Sequence, residues 1–253
     1  MSHVQQVEFC RLVQNLHPHF FSNRLVLDIG SLDINGNNSI FFKNCLYLGI
    51  DLMLGKNVDF TSKGHELMFP DACADVIIST ECFEHDMFYE KTLKNIVRLL
   101  KPGGLFFFTC ATTGRHEHGT RRTTPSKAPL LEHFAEWADY YKNLEEADIR
   151  KVLNIEDIFS EHQFSVGTVS CDLYFWGIKK GEFKQHEGYS FLVNKNQHVE
   201  LKNELLKEKQ KNEELASALM KANSHIDMLK NTIFWRLTKQ LKKIRSKLVK
   251  PVG

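Results

Sequence analysis

Apolar residues in the first two thirds of the chain fall into short continuous runs separated by helical patterns. Strands are expected at about 25–29, 46–50, 57–61, 75–80 and 104–110, with two more near 164–171 and 173–179. Val4, Val7, Phe9, Leu12 and Leu16 give residues 4–20 a loosely apolar helical side, and Leu93, Ile96, Val97 and Leu100 share one face of a helix over 89–100. A further helix is expected near 145–154. The Lys101-Pro102-Gly103-Gly104 stretch reads as a helix stop that turns the chain into Leu105-Phe106-Phe107-Phe108. Unbroken apolar strands alternating with helices imply a mainly parallel sheet covered on both faces.

Two segments break this rhythm. Residues 111–145 are polar, aromatic and rich in Gly, Pro, Arg and His, without periodicity, which suits a functional lid; Trp137, Tyr140 and Tyr141 argue that it is ordered. From about Lys195 the composition shifts to Lys, Glu, Asn, Leu and Ala. Leu201, Leu205, Leu215, Leu219, Ala222, Ile226, Leu229 and Ile233 then recur at a 4-then-3 spacing interrupted by Glu208 and Asn212. This pattern predicts an amphipathic coiled-coil helix roughly 55 Å long. At Phe234 the phase changes to Phe234, Leu237, Leu241, Ile244 and Leu248, surrounded by seven Lys and Arg and no acid, a basic amphipathic helix suited to an anionic membrane surface. The expected domains are therefore a globular unit at 1–190, a coiled coil at 195–233 joining a second copy or a partner, and a basic tail at 234–253 that contacts membrane or partner through 234–250.

Composition narrows the class. With 253 residues, 42% of them hydrophobic, the chain holds one sizeable core plus an appendage, and a net charge of +2 argues against nucleic acid as a partner. The six scattered cysteines show no CxxC pair and suggest buried thiols in a reducing, cytoplasmic setting. Neither a signal peptide nor a run of eighteen apolar residues is present.

The candidate chemistry begins at Val26-Leu27-Asp28-Ile29-Gly30-Ser31-Leu32-Asp33-Ile34-Asn35-Gly36, a strand delivering a glycine-containing loop, with Asp51 closing the next strand about twenty residues later. That is where a ribose-binding carboxylate sits in nucleotide-type α/β sites. Glu84-His85-Asp86 follows the fourth strand, and His85 is the first candidate for a general base because an imidazole titrates near neutrality. His116 and His118, in the insert with Arg115, Arg121 and Arg122, are the second choice; the arginines offer contacts to phosphate or carboxylate on an acceptor. His116-x-His118 has no carboxylate or further histidine at ligand spacing, so no metal site is expected.

The order of Asp28-Ile29-Gly30, Asp51, Phe69-Pro70-Asp71 before Asp75-Val76-Ile77-Ile78-Ser79-Thr80-Glu81, and Leu100-Lys101-Pro102-Gly103-Gly104 resembles class I S-adenosylmethionine-dependent methyltransferases over residues 20–180. The loop Gly30–Gly36, the stretch Cys110–Thr120 and Tyr140-Tyr141-Lys142-Asn143-Leu144 are similar to a bacterial subgroup of that family. Leu32 stands where the family has a second glycine, with Gly36 available for backbone clearance, and Lys63-Gly64 where many relatives carry an acid for the adenine amino group. The resemblance implies a Rossmann-like α/β fold with a seven-stranded, mainly parallel sheet, and S-adenosyl-L-methionine as cofactor. It places the cofactor against Asp28, Gly30, Ser31, Asp33, Gly36, Asp51, Leu52, His65, Glu66 and Glu81, the acceptor against Arg115, His118 and Arg121, and the chemistry at His85 or His116. Residues 231–241 look like a Trp-Arg-Leu-Thr segment that follows coiled coils in enzymes of bacterial surface-polysaccharide assembly. By that association the expected acceptor is a sugar hydroxyl of a polysaccharide or glycolipid at the inner membrane face. The rivals are a nicotinamide-dependent oxidoreductase, disfavoured by the absence of G-x-G-x-x-G spacing, a methyltransferase of another small molecule, and a catalytically silent scaffold for a biosynthetic complex.

Overall fold

The computed structural model describes residues 4–183 and five helical positions, Lys211, Leu215, Ser217, Ala218 and Lys221. The chain divides into two compact units, Met1–Val193 and Asn194–Gly253. The expected coiled coil and basic tail fall almost wholly outside the described residues. Among the described residues no helix is long and apolar enough to cross a membrane.

The first unit is built on one seven-stranded sheet in the order β3-β2-β1-β4-β5-β7-β6: β1 Leu25–Ile29, β2 Leu46–Asp51, β3 Phe60–Thr61, β4 Ala74–Thr80, β5 Leu100–Ala111, β6 Phe159–Gly167 and β7 Asp172–Lys179. Strands β1 to β5 pair in parallel, whereas β7 runs antiparallel to both β5 and β6. Side chains alternate across the sheet. Leu27, Ile29, Ile77, Phe106, Phe108 and Phe175 pack with Leu93, Ile96 and Leu99 of α2, Tyr89–Leu99, and with Ile149 of α3, Glu146–Val152. Val26, Val76, Ile78, Leu105, Phe107 and Tyr174 point the other way, onto Phe9, Cys10 and Val13 of α1, Val4–Leu16. A fourth short helix, α4, spans Ile155–Ile158.

Several boundaries differ from those the pattern predicts. The helix expected over 4–20 stops at Leu16 because Pro18 lacks a donor; His17 leaves helical geometry at ψ 56° and a 3-10 turn follows. The strand expected at 57–61 keeps only Phe60 and Thr61, since Asn57 takes a positive φ of 66° in a turn. Lys101-Pro102-Gly103-Gly104 is no stop before a strand. It lies inside β5 as a bulge, with Ala74 paired to Leu100 and Val76 to Leu105. The sixth strand occupies 159–167 rather than 164–171. Cys171 N–H donates to Gly167 O across a turn, and Cys171 itself has φ 53°.

Candidate active site

Strand order reverses between β1 and β4, and the carboxyl ends of those strands open a crevice, the usual place for a ligand in such sheets. The cleft there encloses about 750 Å³ including the open solvent at its mouth. Its floor and near wall come from Ile29, Gly30, Leu32, Asp51, Leu52 and Gly64, and its far wall from Thr80, Glu81, Cys82, His85 and Asp86. The insert completes it with residues 127–131 and Trp137, so the segment read as a lid closes one side.

Backbone bonds tie this insert down. Lys142 N–H donates to Glu84 O at 2.9 Å, and Leu144 N–H to Ala111 O at 2.9 Å. Opposite, Asp86 accepts from Phe88 N–H at 2.8 Å and from Thr92 Oγ1, anchoring the start of α2 beneath the cleft.

Gly30 has φ 81°, and a Cβ there would sit 2.5 Å from Cys82 Sγ. Only glycine lets the first loop approach the fourth strand's end so closely. Asp51 ends β2 with Oδ2 accepting from Leu32 N–H at 2.9 Å and Oδ1 from Leu52 N–H at 2.7 Å. Each oxygen keeps a further lone pair, and burial raises the carboxyl's pKa. Asp28 lies in a small polar annex with Gly30, Ser31, Gly36, Asn38 and Thr80. Burial pushes its pKa up to about 7 against the lowering effect of a hydrogen bond from Tyr47 Oη.

The structure corrects several expected contacts. Asp33 belongs to the loop's own scaffold, accepting from Gly36 N–H at 2.7 Å and pairing with Lys56 at 2.8 Å. Ser31 Oγ donates to Asn57 O at 2.9 Å, and the residue lines the polar annex rather than the main cleft. His65 packs on Phe88 with ring centres 4.5 Å apart, and Glu66 pairs with Lys63 at 3.2 Å; of that segment Ser62 and Gly64 reach the cleft wall. Arg115 is committed to Ser170 O at 2.6 Å, Asp172 at 3.1 Å and Glu81 at 3.6 Å, and Arg121 to Asp139 at 2.5 Å on the surface.

Both candidate bases also change standing. His85 is on the cleft wall, but burial, reinforced by His118, pushes its pKa down to about 3, so the imidazole is neutral and weakly basic at pH 7. His116 is exposed and outside the cleft; its carbonyl receives Tyr141 Oη at 3.3 Å. His118 is buried and packs edge-on to His85, ring centres 5.1 Å apart. Sequence reasoning did not place Cys82, residues 127–131 or Trp137 in the site; Cys82 carried no signal, while the others lie in the insert read as a lid.

Residues 48–108 match the family described as the methyltransferase domain. That segment runs from β2 through most of β5, and the strand order is that of a doubly wound, Rossmann-like α/β sheet. No curated protein matches the chain by sequence. Among solved structures, the chain is similar to the 1,6-didemethyltoxoflavin-N1-methyltransferase of Burkholderia thailandensis, at 18% identity and TM-score 0.47 over 68% of this chain and 79% of that one. It is also similar to phosphoethanolamine N-methyltransferase 2 of Haemonchus contortus, at 14% identity and TM-score 0.49 over 69% and 53% of the two chains. The PH0226 protein of Pyrococcus horikoshii OT3 is similar at 15% identity and TM-score 0.47, over 71% and 92%.

Proposed function

We propose that this chain is an S-adenosylmethionine-dependent methyltransferase acting on a hydroxyl of a sugar or glycolipid. The observation that carries the methyltransferase reading is the position of Asp51 on the wall of a cleft at the switch point, with Gly30 opposite Cys82 beside it. The residues fit the group. Asp51 retains one acceptor site on each oxygen for the two ribose hydroxyls, and Leu52, Ser62 and Gly64 continue the wall where the adenine would lie. Asp28, Asn38 and Thr80 line the annex in which an amino-acid ammonium would find a carboxylate.

When bound, S-adenosylmethionine supplies a methyl group activated by its positive sulfur. What this chain must add is alignment and exclusion of water. Trp137 and residues 127–131 of the insert cover the acceptor side of the cleft, and the neutral His85 ring offers a hydrogen-bonding nitrogen on that wall rather than a strong base. The sugar acceptor is supported by the resemblance of residues 231–241, and Trp137 adds an aromatic face of the kind that packs on sugar C–H groups. On the same grounds we place the protein in the cytoplasm at the inner membrane face, self-associated through 195–233 and held to anionic lipid through 234–250.

Calorimetry with S-adenosylmethionine on the full chain tests the central reading. Saturable binding at one site, weakened by substitution of Asp51, supports it. An absence of heat, with the fold intact, would instead favour a silent scaffold. Sedimentation and liposome flotation test the two halves of the tail.

A further inference from the structure

Glu84, His85 and His118 come together where the end of β4 meets the 112–145 insert, with one ligand atom from each within 4.8 Å of the others. Glu84 is fully buried, and neither of its carboxylate oxygens has a hydrogen-bond partner among the described residues; the same holds for His85 Nδ1. Burying such groups without partners is costly, so a cluster of them asks for a ligand that satisfies all three. His118 supplies the orientation typical of a metal-bound imidazole: its Nδ1 lies 3.1 Å from His116 O, a bond that fixes Nδ1 as the donor and leaves Nε2 with a free lone pair.

The backbone around the cluster is shaped to hold it. Gly119 has φ 75°, and a Cβ there would lie 2.7 Å from His85 Cε1, so the chain after His118 closes on His85 only with glycine. Tyr141 packs against both rings, with centres 5.4 Å from His85 and 5.1 Å from His118. The Lys142 N–H bond to Glu84 O pins the insert to the strand end beside them.

We propose that Glu84, His85 and His118 bind a divalent transition-metal ion of the zinc class. Two imidazoles and one carboxylate are too rich in nitrogen for magnesium or calcium and suit zinc, cobalt or ferrous iron. Tetrahedral binding requires the donors to close from within 4.8 Å to about 3.4 Å of one another, given metal–ligand bonds near 2.1 Å. Three protein ligands leave a coordination position open, and His85 lines the cleft, so the natural fourth ligand is a hydroxyl oxygen of the acceptor. This last step rests on the methyltransferase reading; ion binding does not.

The test is a titration of chelator-treated, full-length protein with Co²⁺, followed through its visible d–d bands, with displacement by Zn²⁺. One equivalent is expected, retained in His116→Ala and weakened about 100-fold or more in Glu84→Gln and His118→Ala. Glu84→Gln is isosteric and keeps the fold measurable if His118→Ala does not. No stoichiometric binding by the wild type, or binding that neither ligand variant disturbs, overturns the proposal. S-adenosylmethionine calorimetry on the same sample separates the two ideas: ion binding without S-adenosylmethionine binding supports the metal site and sinks only the methyltransferase reading.

Discussion

Lys101 and Asp75 form an ion pair inside the sheet, with Nζ 2.5 Å from Oδ1 and side chains only 4% and 3% exposed. The other oxygen of Asp75 accepts from Leu25 N–H at 2.8 Å, so the pair also fixes the start of β1. Removing one partner of a buried pair leaves a charge in low dielectric. Lys101→Met should therefore cost about 3–5 kcal/mol in denaturant unfolding. Adding Asp75→Asn should recover part of that loss; if the single variant unfolds like wild type, the pair does not hold the strand end.

Asp51 is the clearest probe of the cofactor site. Asp51→Asn keeps one acceptor oxygen for the Leu32 or Leu52 N–H but removes the charge and one acceptor, and should weaken S-adenosylmethionine binding by about 1.5–3 kcal/mol. Calorimetry reads this directly. Unchanged affinity in a folded variant would take Asp51 out of the site.

What was legible in the sequence follows from how local each signal is. Strands β1, β4 and β5 announced themselves because both faces are buried, which gives apolar runs such as Val76–Ile78 and Phe106–Phe108. The edge strand β6 was expected too late, at 164–171, because Ser160, Glu161 and Gln163 face solvent and dilute the pattern at its start. Gly30 and Asp51 were found by spacing along adjacent strands. Glu84 and His118 were not joined, because the insert's return path brings them together and spacing within His116-x-His118 carries no trace of it. The weak basicity of His85 was hidden for a similar reason: burial by the insert, a tertiary effect, overrides the imidazole's ordinary value.

That burial has a pH signature. His85 in the folded, chelator-treated protein has its pKa lowered to about 3, below the ordinary 6.5, so between those values the unfolded chain binds the proton more readily. The group's contribution is present above pH 6.5 and is lost as pH falls toward 3. In NMR its Cε1–H resonance should not titrate between pH 5 and 8. A midpoint near 6.5 would restore His85 as a general base.

Asp28 works in the opposite direction. Its folded pKa of about 7 exceeds the ordinary 3.8, so the folded state holds the proton through that window and the group's contribution to stability falls as pH rises from about 4 to 7. Asp28→Asn should flatten this slope and stabilise the protein at pH 8, by at most about 4 kcal/mol. If Asp28 receives the amino-acid ammonium, binding of S-adenosylmethionine near pH 6.5 should release a proton, visible as a dependence of the calorimetric heat on buffer ionisation. No buffer dependence would remove Asp28 from that contact.

The arginines of the insert look equivalent in the sequence and should behave differently. Arg115 joins Ser170 O, the fully buried Asp172 and Glu81 on the cleft wall, with a quarter of its own side chain reaching solvent. Arg121 and Arg122 pair with Asp139 and Glu117 on the surface, where such bonds contribute little. Arg115→Met takes a cation from the buried Asp172 and should cost about 1–3 kcal/mol, less than a sealed pair because water screens part of the guanidinium. Arg121→Met should leave stability close to wild type, since its ion pair lies in solvent. Arg115→Met also removes one of the partners of Glu81, whose positive φ of 52° holds it at the carboxyl end of β4 and which keeps its bond from Thr109 Oγ1, so S-adenosylmethionine binding should weaken together with stability. Paired unfolding and calorimetry on the two variants decide the matter. Equal stability with a loss of acceptor binding alone would return Arg115 to the role of a substrate contact.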